Sequence, residues 1–285
     1  MSDQIRSISQ IITPIHVMEG AGVLLKRSIA TRTLDYFDPF LLLDHFGSDD
    51  PADYLAGFPM HPHRGIETVT YMLAGRVDHR DSLGNHGTIG GGDVQWMTAG
   101  RGIMHEEMPK PYEGKMEGFQ LWVNLPARLK MTSPRYQDIS SANIPELELP
   151  GGVKVRLIAG HLGDTSGAVT DIYADPTYLD ITLPPNTLFS HFVPTDQSVF
   201  AYLFRGQGLF AASSSMVEAP QLVIFEAGDV VKVQALGEEA RFLLVSGMPL
   251  GEPIARYGPF VMNTKAEIEQ TLMELRNGTF IKSSD

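Results

Sequence analysis

The chain contains no cysteine. That absence removes disulfides, thiolate metal sites, iron–sulfur clusters and cysteine nucleophiles together, so any metal must be held through nitrogen and oxygen. No segment approaches the roughly 18 to 20 continuous apolar residues that a spanning helix needs. Basic residues are scarce beside acidic ones, 22 against 34, for a formal charge of -12. Such a balance repels phosphate backbones and anionic lipid surfaces, which argues against direct nucleic-acid or membrane binding. The opening MSDQIRSISQIITPIHVMEG has no basic leader before a clean apolar run, because Pro14 and His16 interrupt its one apolar segment. The expectation is a cytoplasmic protein.

What is present reads as β structure. With 285 residues and 43% hydrophobic content the chain can bury a substantial core. Its apolar runs, among them PFLLLDHFG, ETVTYMLAG, GFQLWVNLP and SVFAYLFRG, are short, rich in β-branched or aromatic residues, and closed by glycine, proline or aspartate. That punctuation predicts antiparallel sandwiches or barrels rather than alternating strand and helix. One helix is expected, near the end: Thr264 caps it with Glu267 three residues on, Ile268, Leu272 and Leu275 share a face, and Asn277-Gly278 stops it near Arg276. The halves also echo each other. TVTYMLAGR and IGGGDVQWM find counterparts in SVFAYLFRGQG and FEAGDVVKV, at a period of about 131 to 136 residues measured from Gly75 to Gly206 and from Gly92 to Gly228, which is domain-sized. Two copies of one β-barrel unit are therefore predicted, residues 1–131 and 132–285, the second carrying the helix, with a linker running through MTSPRYQDISSANIPELELPGG.

Two short motifs carry chemistry. Residues i and i+2 of a strand share a face, so His61 and His63 present neighbouring imidazoles with Cβ atoms roughly 6 to 7 Å apart, close enough to converge on one ion. By the same parity His105 pairs with Glu107, and Glu106 turns outward. Either pair alone is weak, but two same-face pairs in one repeat unit point to a metal. Glu67 has the right parity relative to His63 but lies four residues on, which needs a turn at Gly65 to bring it back. The other six histidines are read as ordinary: His79 and His86 in a polar hairpin, His16, His161 and His191 at edges or turns, and His45 hydrogen-bonded at a strand end.

HPHRGIETVTYMLAG, GDVQWMTAGRGIMHEEMP, FQLWVNLP, DPFLLLDHF and GPFVMNT together resemble the pirin family of the cupin superfamily, across essentially the whole chain. The resemblance implies an all-β bicupin, two antiparallel jelly-roll barrels with a C-terminal helix. It implies one transition metal in the N-terminal barrel, most often Fe(II), with Cu, Mn, Ni, Co or Zn also compatible, held by His61, His63, His105 and Glu107. The second barrel of the family is usually metal-free, and here the repeat offset puts Phe192 and Pro194 where the first half has His61 and His63. Thr98 stands where the general cupin pattern has proline. The activity implied is that of bacterial quercetin 2,3-dioxygenases, with a small aromatic substrate chelating the ion and Glu107 doubling as catalytic base if it swings off the metal. Around the pocket Phe58 and Met60 are expected as walls, Arg64 as an attractor of anionic substrates, and Gln120 as a hydrogen-bonding support. The alternative implied by animal relatives is a non-enzymatic, metal-binding regulator acting through protein partners.

Overall fold

A computed structural model describes residues 4–111, 114–173, 176–211 and 216–282. The apolar runs form antiparallel strands in two compact units, each pairing a seven-stranded with a four-stranded sheet. In the unit carrying the histidine motifs the larger sheet runs Arg135–Ile139, Val94–Thr98, Ile66–Ala74, Met116–Asn124, Phe40–Ser48, Val23–Ile29 and Ile15–Glu19, and the smaller runs Phe58–His63, Ile103–Pro109, Arg76–Asp81 and His86–Gly90. The sheets are not joined into closed barrels. This is the double-sheet jelly roll, in which side chains rather than a continuous hydrogen-bond ring close the structure.

The two-unit repeat is present, but its limits differ from a simple division at residue 131. One unit comprises Met1–Pro14, Ala142–Asp171 and Asp175–Pro249, and the other Ile15–Ser141, Ile172–Ala174 and Leu250–Asp285. The ends are exchanged. Strand Ile8–Ile12 pairs with Gln221–Phe225 at the edge of the second sheet, satisfying backbone groups that an edge leaves open. The C-terminal helix, Lys265–Arg276, belongs to the unit that carries the histidines.

The repeat is partly displaced as well. Gly75 and Gly206 are true equivalents: each follows the third strand of its seven-stranded sheet at positive φ (88° and 73°), and an added Cβ would lie 2.3 Å from Met116 Sδ or 2.2 Å from the Glu239 carbonyl oxygen. The Gly-Asp echo is not equivalent. GDVQWM leads into the large sheet of its unit, whereas GDVVKV leads into the small sheet, as Val230–Ala235. Phe192, at the offset of His61, is 63% exposed. The interior of that unit is filled by Phe189, Phe210, Phe242 and a continuous set of valines and leucines drawn from both sheets.

Helix Lys265–Arg276 starts where its capping box requires: Glu267 N–H donates to Thr264 Oγ1 at 3.2 Å, and Thr264 N–H donates back to Glu267 at 2.7 Å. Ile268, Leu272 and Leu275 pack on Phe260, Met262 and Phe280, with Met104 beside them. Leu272 is half-buried, so Leu272→Ala is expected to lower unfolding stability by about 2 kcal/mol, read by urea titration, without altering metal content. An unchanged midpoint would remove the helix from the stability of this unit.

Candidate metal centre

The two ligand-bearing strands are neighbours, and their register does what no local motif can. In the antiparallel pair of Phe58–His63 with Ile103–Pro109, His105 lies opposite His61 and Ile103 opposite His63. The register then slips, so that Glu107 faces Phe58. A bulge of this kind re-aims the side chains beyond it. Parity holds: His105 and Glu107 are buried while Glu106 turns outward to Arg80, at 3.4 Å.

The three imidazoles converge. His61 Nε2 and His63 Nε2 are 3.0 Å apart, and one nitrogen from each of His61, His63 and His105 lies within 4.8 Å of the others. Nitrogens so placed can share one ion at bonds of about 2.1 Å. His105 is 1% exposed, yet neither of its ring nitrogens has a hydrogen-bond partner among the described residues. Buried polar atoms without partners are costly. A cation that accepts their lone pairs removes that cost, so the residues present fit a metal. Burial first, and the neighbouring histidines second, drive His63 and His105 well below the ordinary imidazole range. They are therefore neutral, the form that ligates.

Glu107 is 8% exposed and faces the same cavity, with its carboxylate outside the tight nitrogen cluster. Burial raises its pKa, opposed by the charge of His61 and by a hydrogen bond from Thr70. Thr70 Oγ1 lies 2.8 Å from Glu107 Oε1 and 2.8 Å from Gln120 Oε1, and its single hydroxyl proton serves one at a time. Gln120 thus reaches Glu107 through Thr70.

Glu67 goes elsewhere. Gly65 does introduce a turn (φ 79°), but that turn carries the chain into the larger sheet, where Glu67 pairs with Thr98 and accepts its hydroxyl at 2.8 Å. Thr98, the departure from the proline pattern, gives this buried carboxyl a donor.

A cavity of about 590 Å³ opens beside the histidines. Phe58 and Gln120 line it. Met60 and Arg64 are not among its lining residues. Met60 is 40% exposed on the outer parity of its strand. Arg64 is 1% exposed and points to the C-terminal segment, donating to the Arg101 carbonyl (2.7 Å), Thr271 Oγ1 (3.0 Å) and Glu274 Oε2 (2.7 Å). A buried arginine must spend its donors internally, so Arg64 cannot serve as the attractor of anionic substrates.

Sequence reasoning missed several residues. Trp122 lines the cavity with its ring edge-on to His63, at 5.1 Å, and Arg256 joins from far along the chain. His79, read as part of a polar hairpin, is buried and stacked on Tyr136, whose hydroxyl is 2.9 Å from Nδ1. The alternation Val77, His79, Asp81 was the available signal, since all three are buried. His45 is, as expected, hydrogen-bonded, 3.2 Å from Glu117.

Residues 22–123 match the pirin family, and residues 178–281 match the pirin C-terminal cupin domain. A pirin-like protein of Caulobacter vibrioides is 44% identical over 277 residues, covering 97% of this chain and 99% of that protein. A solved quercetin 2,3-dioxygenase of Acinetobacter baumannii is 36% identical with a TM-score of 0.89, covering 97% of this chain and 98% of that one. The fold is shared more distantly by a bacterial pirin of Escherichia coli solved in complex with nickel(II), 18% identical with a TM-score of 0.66, over 84% of this chain and 99% of that one.

Proposed function

The chain belongs to the pirin family, and on that premise we propose that it is a metal-dependent dioxygenase cleaving flavonol-type substrates such as quercetin. The ligands are His61, His63, His105 and Glu107, the ion is divalent, best Fe(II), and there is one per chain. The observation that carries the reading is the convergence of three imidazoles beside a buried carboxylate, with His61, His63 and Glu107 lining a cavity large enough for an aromatic ligand. The name of the Acinetobacter baumannii relative supports the reaction and the substrate class. When bound, the ion supplies Lewis acidity toward a chelating enol and the redox capacity for dioxygen chemistry.

The protein's own part is placement and proton handling. Phe58 and Trp122 offer apolar rings to an aromatic ligand. Glu107, its pKa raised by burial, is suited to take the proton of a chelating hydroxyl, with Thr70 holding the carboxyl in place.

Aerobic assay of iron- or copper-loaded protein, following loss of quercetin absorbance, tests the reading. Glu107→Gln keeps the shape and removes the charge, so turnover is expected to fall by about 100-fold or more. Glu106→Gln, on the outer face, should stay near wild type, and Glu67→Gln should keep a full metal equivalent. Loss of metal in Glu67→Gln with retention in Glu107→Gln would transfer the ligand role to Glu67.

A further inference from the structure

Arg256 sits at the mouth of the same cavity, on the short strand Ala255–Tyr257, which pairs with Phe260–Met262. Its guanidinium lies over the Trp122 ring, 5.2 Å from the centroid, and the other side of that relationship is His63, whose ring meets Trp122 edge-on. One indole therefore bridges the metal-binding end of the cavity and a cation.

The cation has donors to spare. Among the described residues Arg256 makes one hydrogen bond, from Nη1 to the Leu41 carbonyl at 3.2 Å, while a guanidinium carries five N–H donors. No carboxylate lies within 4.0 Å of it among the described residues. Two of the three acidic side chains of the cavity are committed to Arg27: Asp44 takes a two-pronged bond (2.8 and 2.7 Å), and Glu19 takes Arg27 Nη1 at 2.7 Å. Arg27 is thus held between two carboxylates, and among the described residues Arg256 is the cavity arginine without an ion pair. A planar fork of donors, fixed over an aromatic face and open to a pocket, matches a planar ligand that carries an ionised oxygen.

We propose that Arg256 determines substrate specificity by selecting planar aromatics that bear an anionic oxygen substituent, such as a carboxylate or ionised phenol, at the end away from the histidines. This rests on the reading of the cavity as a substrate pocket and names the class of compound it prefers. Trp122 lies beneath the guanidinium and beside the ligand's ring, while Arg27 is unavailable for the role.

The test uses metal-loaded protein and two probes of one shape, 2-naphthoate and the neutral 2-naphthamide, with binding followed by tryptophan fluorescence. The chain has two tryptophans, and Trp96 is 1% exposed, so quenching reports Trp122 at the cavity wall. Wild type is expected to prefer naphthoate by about 10- to 100-fold, the scale of a charged hydrogen-bonded pair. Arg256→Met should lose that preference, through a larger loss for naphthoate than for naphthamide, and Arg256→Lys should restore part of it. Equal binding of both probes by wild type overturns the proposal. So does a preference that survives in Arg256→Met, since it would then belong to the ion. A protein that discriminates through Arg256 but leaves quercetin intact refutes the dioxygenase reading alone, whereas normal quercetin turnover without discrimination refutes the role of Arg256 alone.

Discussion

Elemental analysis of the purified protein is expected to find one transition-metal equivalent per chain, and none in His61→Ala with His105→Ala. His61 and His105 face each other across the strand pair, so their joint loss leaves His63 as the single imidazole of the cluster. A lone buried histidine and a carboxylate that already accepts from Thr70 cannot hold an ion against water. Quercetin turnover should vanish with the metal. A readout independent of activity is thermal: an ion present at about 1,000 times its Kd adds about 4 kcal/mol to the stability of wild type and nothing to the double variant. Because burial holds His63 and His105 well below the ordinary imidazole range, protons compete weakly for these nitrogens, and metal retention should extend to lower pH than an exposed site allows. A full equivalent kept by the double variant would mean that the ion sits elsewhere.

The second large effect is structural. Arg64→Met is expected to cost about 3 kcal/mol, because one guanidinium joins the residue after His63 to the C-terminal helix and to the segment beyond it. Besides its bonds to Arg101, Thr271 and Glu274, it lies 4.5 Å from the centroid of the Phe280 ring. Methionine fills much of the space but takes a donor from the Arg101 carbonyl and Thr271 Oγ1 and leaves Glu274 with Gln270 and Lys282 alone. Glu274 supplies a pH signature. Burial by itself would raise its carboxyl, but hydrogen bonds from Gln270 and Arg64, the Arg64 charge and Lys282 outweigh that and hold it down at about 2. The stability it lends is complete above the unfolded value near 4.5 and is lost as pH falls from there toward 2. In Arg64→Met that acid-dependent stretch should become shallower, while the metal equivalent is retained. An unchanged acid profile together with an unchanged thermal midpoint would show that the clamp contributes nothing.

Much of the centre was legible because strand parity is local. A two-residue period decides which side chains share a face, so H-x-H and H-x-E could be read as same-face pairs and Glu106 as turned away. The helix was legible for a similar reason, since its capping box and its i, i+3, i+4 face lie within one short segment. The missing cysteines limited any ligand set to nitrogen and oxygen before any fold was known.

Tertiary structure decided what depends on distant segments meeting. Arg64 follows the second histidine directly and looks like part of the pocket, but the turn at Gly65 and the donors' need for partners send it to Thr271 and Glu274, over two hundred residues along. Arg256 has no local motif to mark it, and it enters the cavity because a hairpin near the end of the chain packs on the first cupin rather than the second. The Gly-Asp echo misled because similar turns can start strands of different sheets. Backbone geometry sets the period and the caps residue by residue, whereas register, exchange of the chain ends and assignment of a charge to a clamp or a pocket follow from packing summed over the whole unit, which no short stretch encodes.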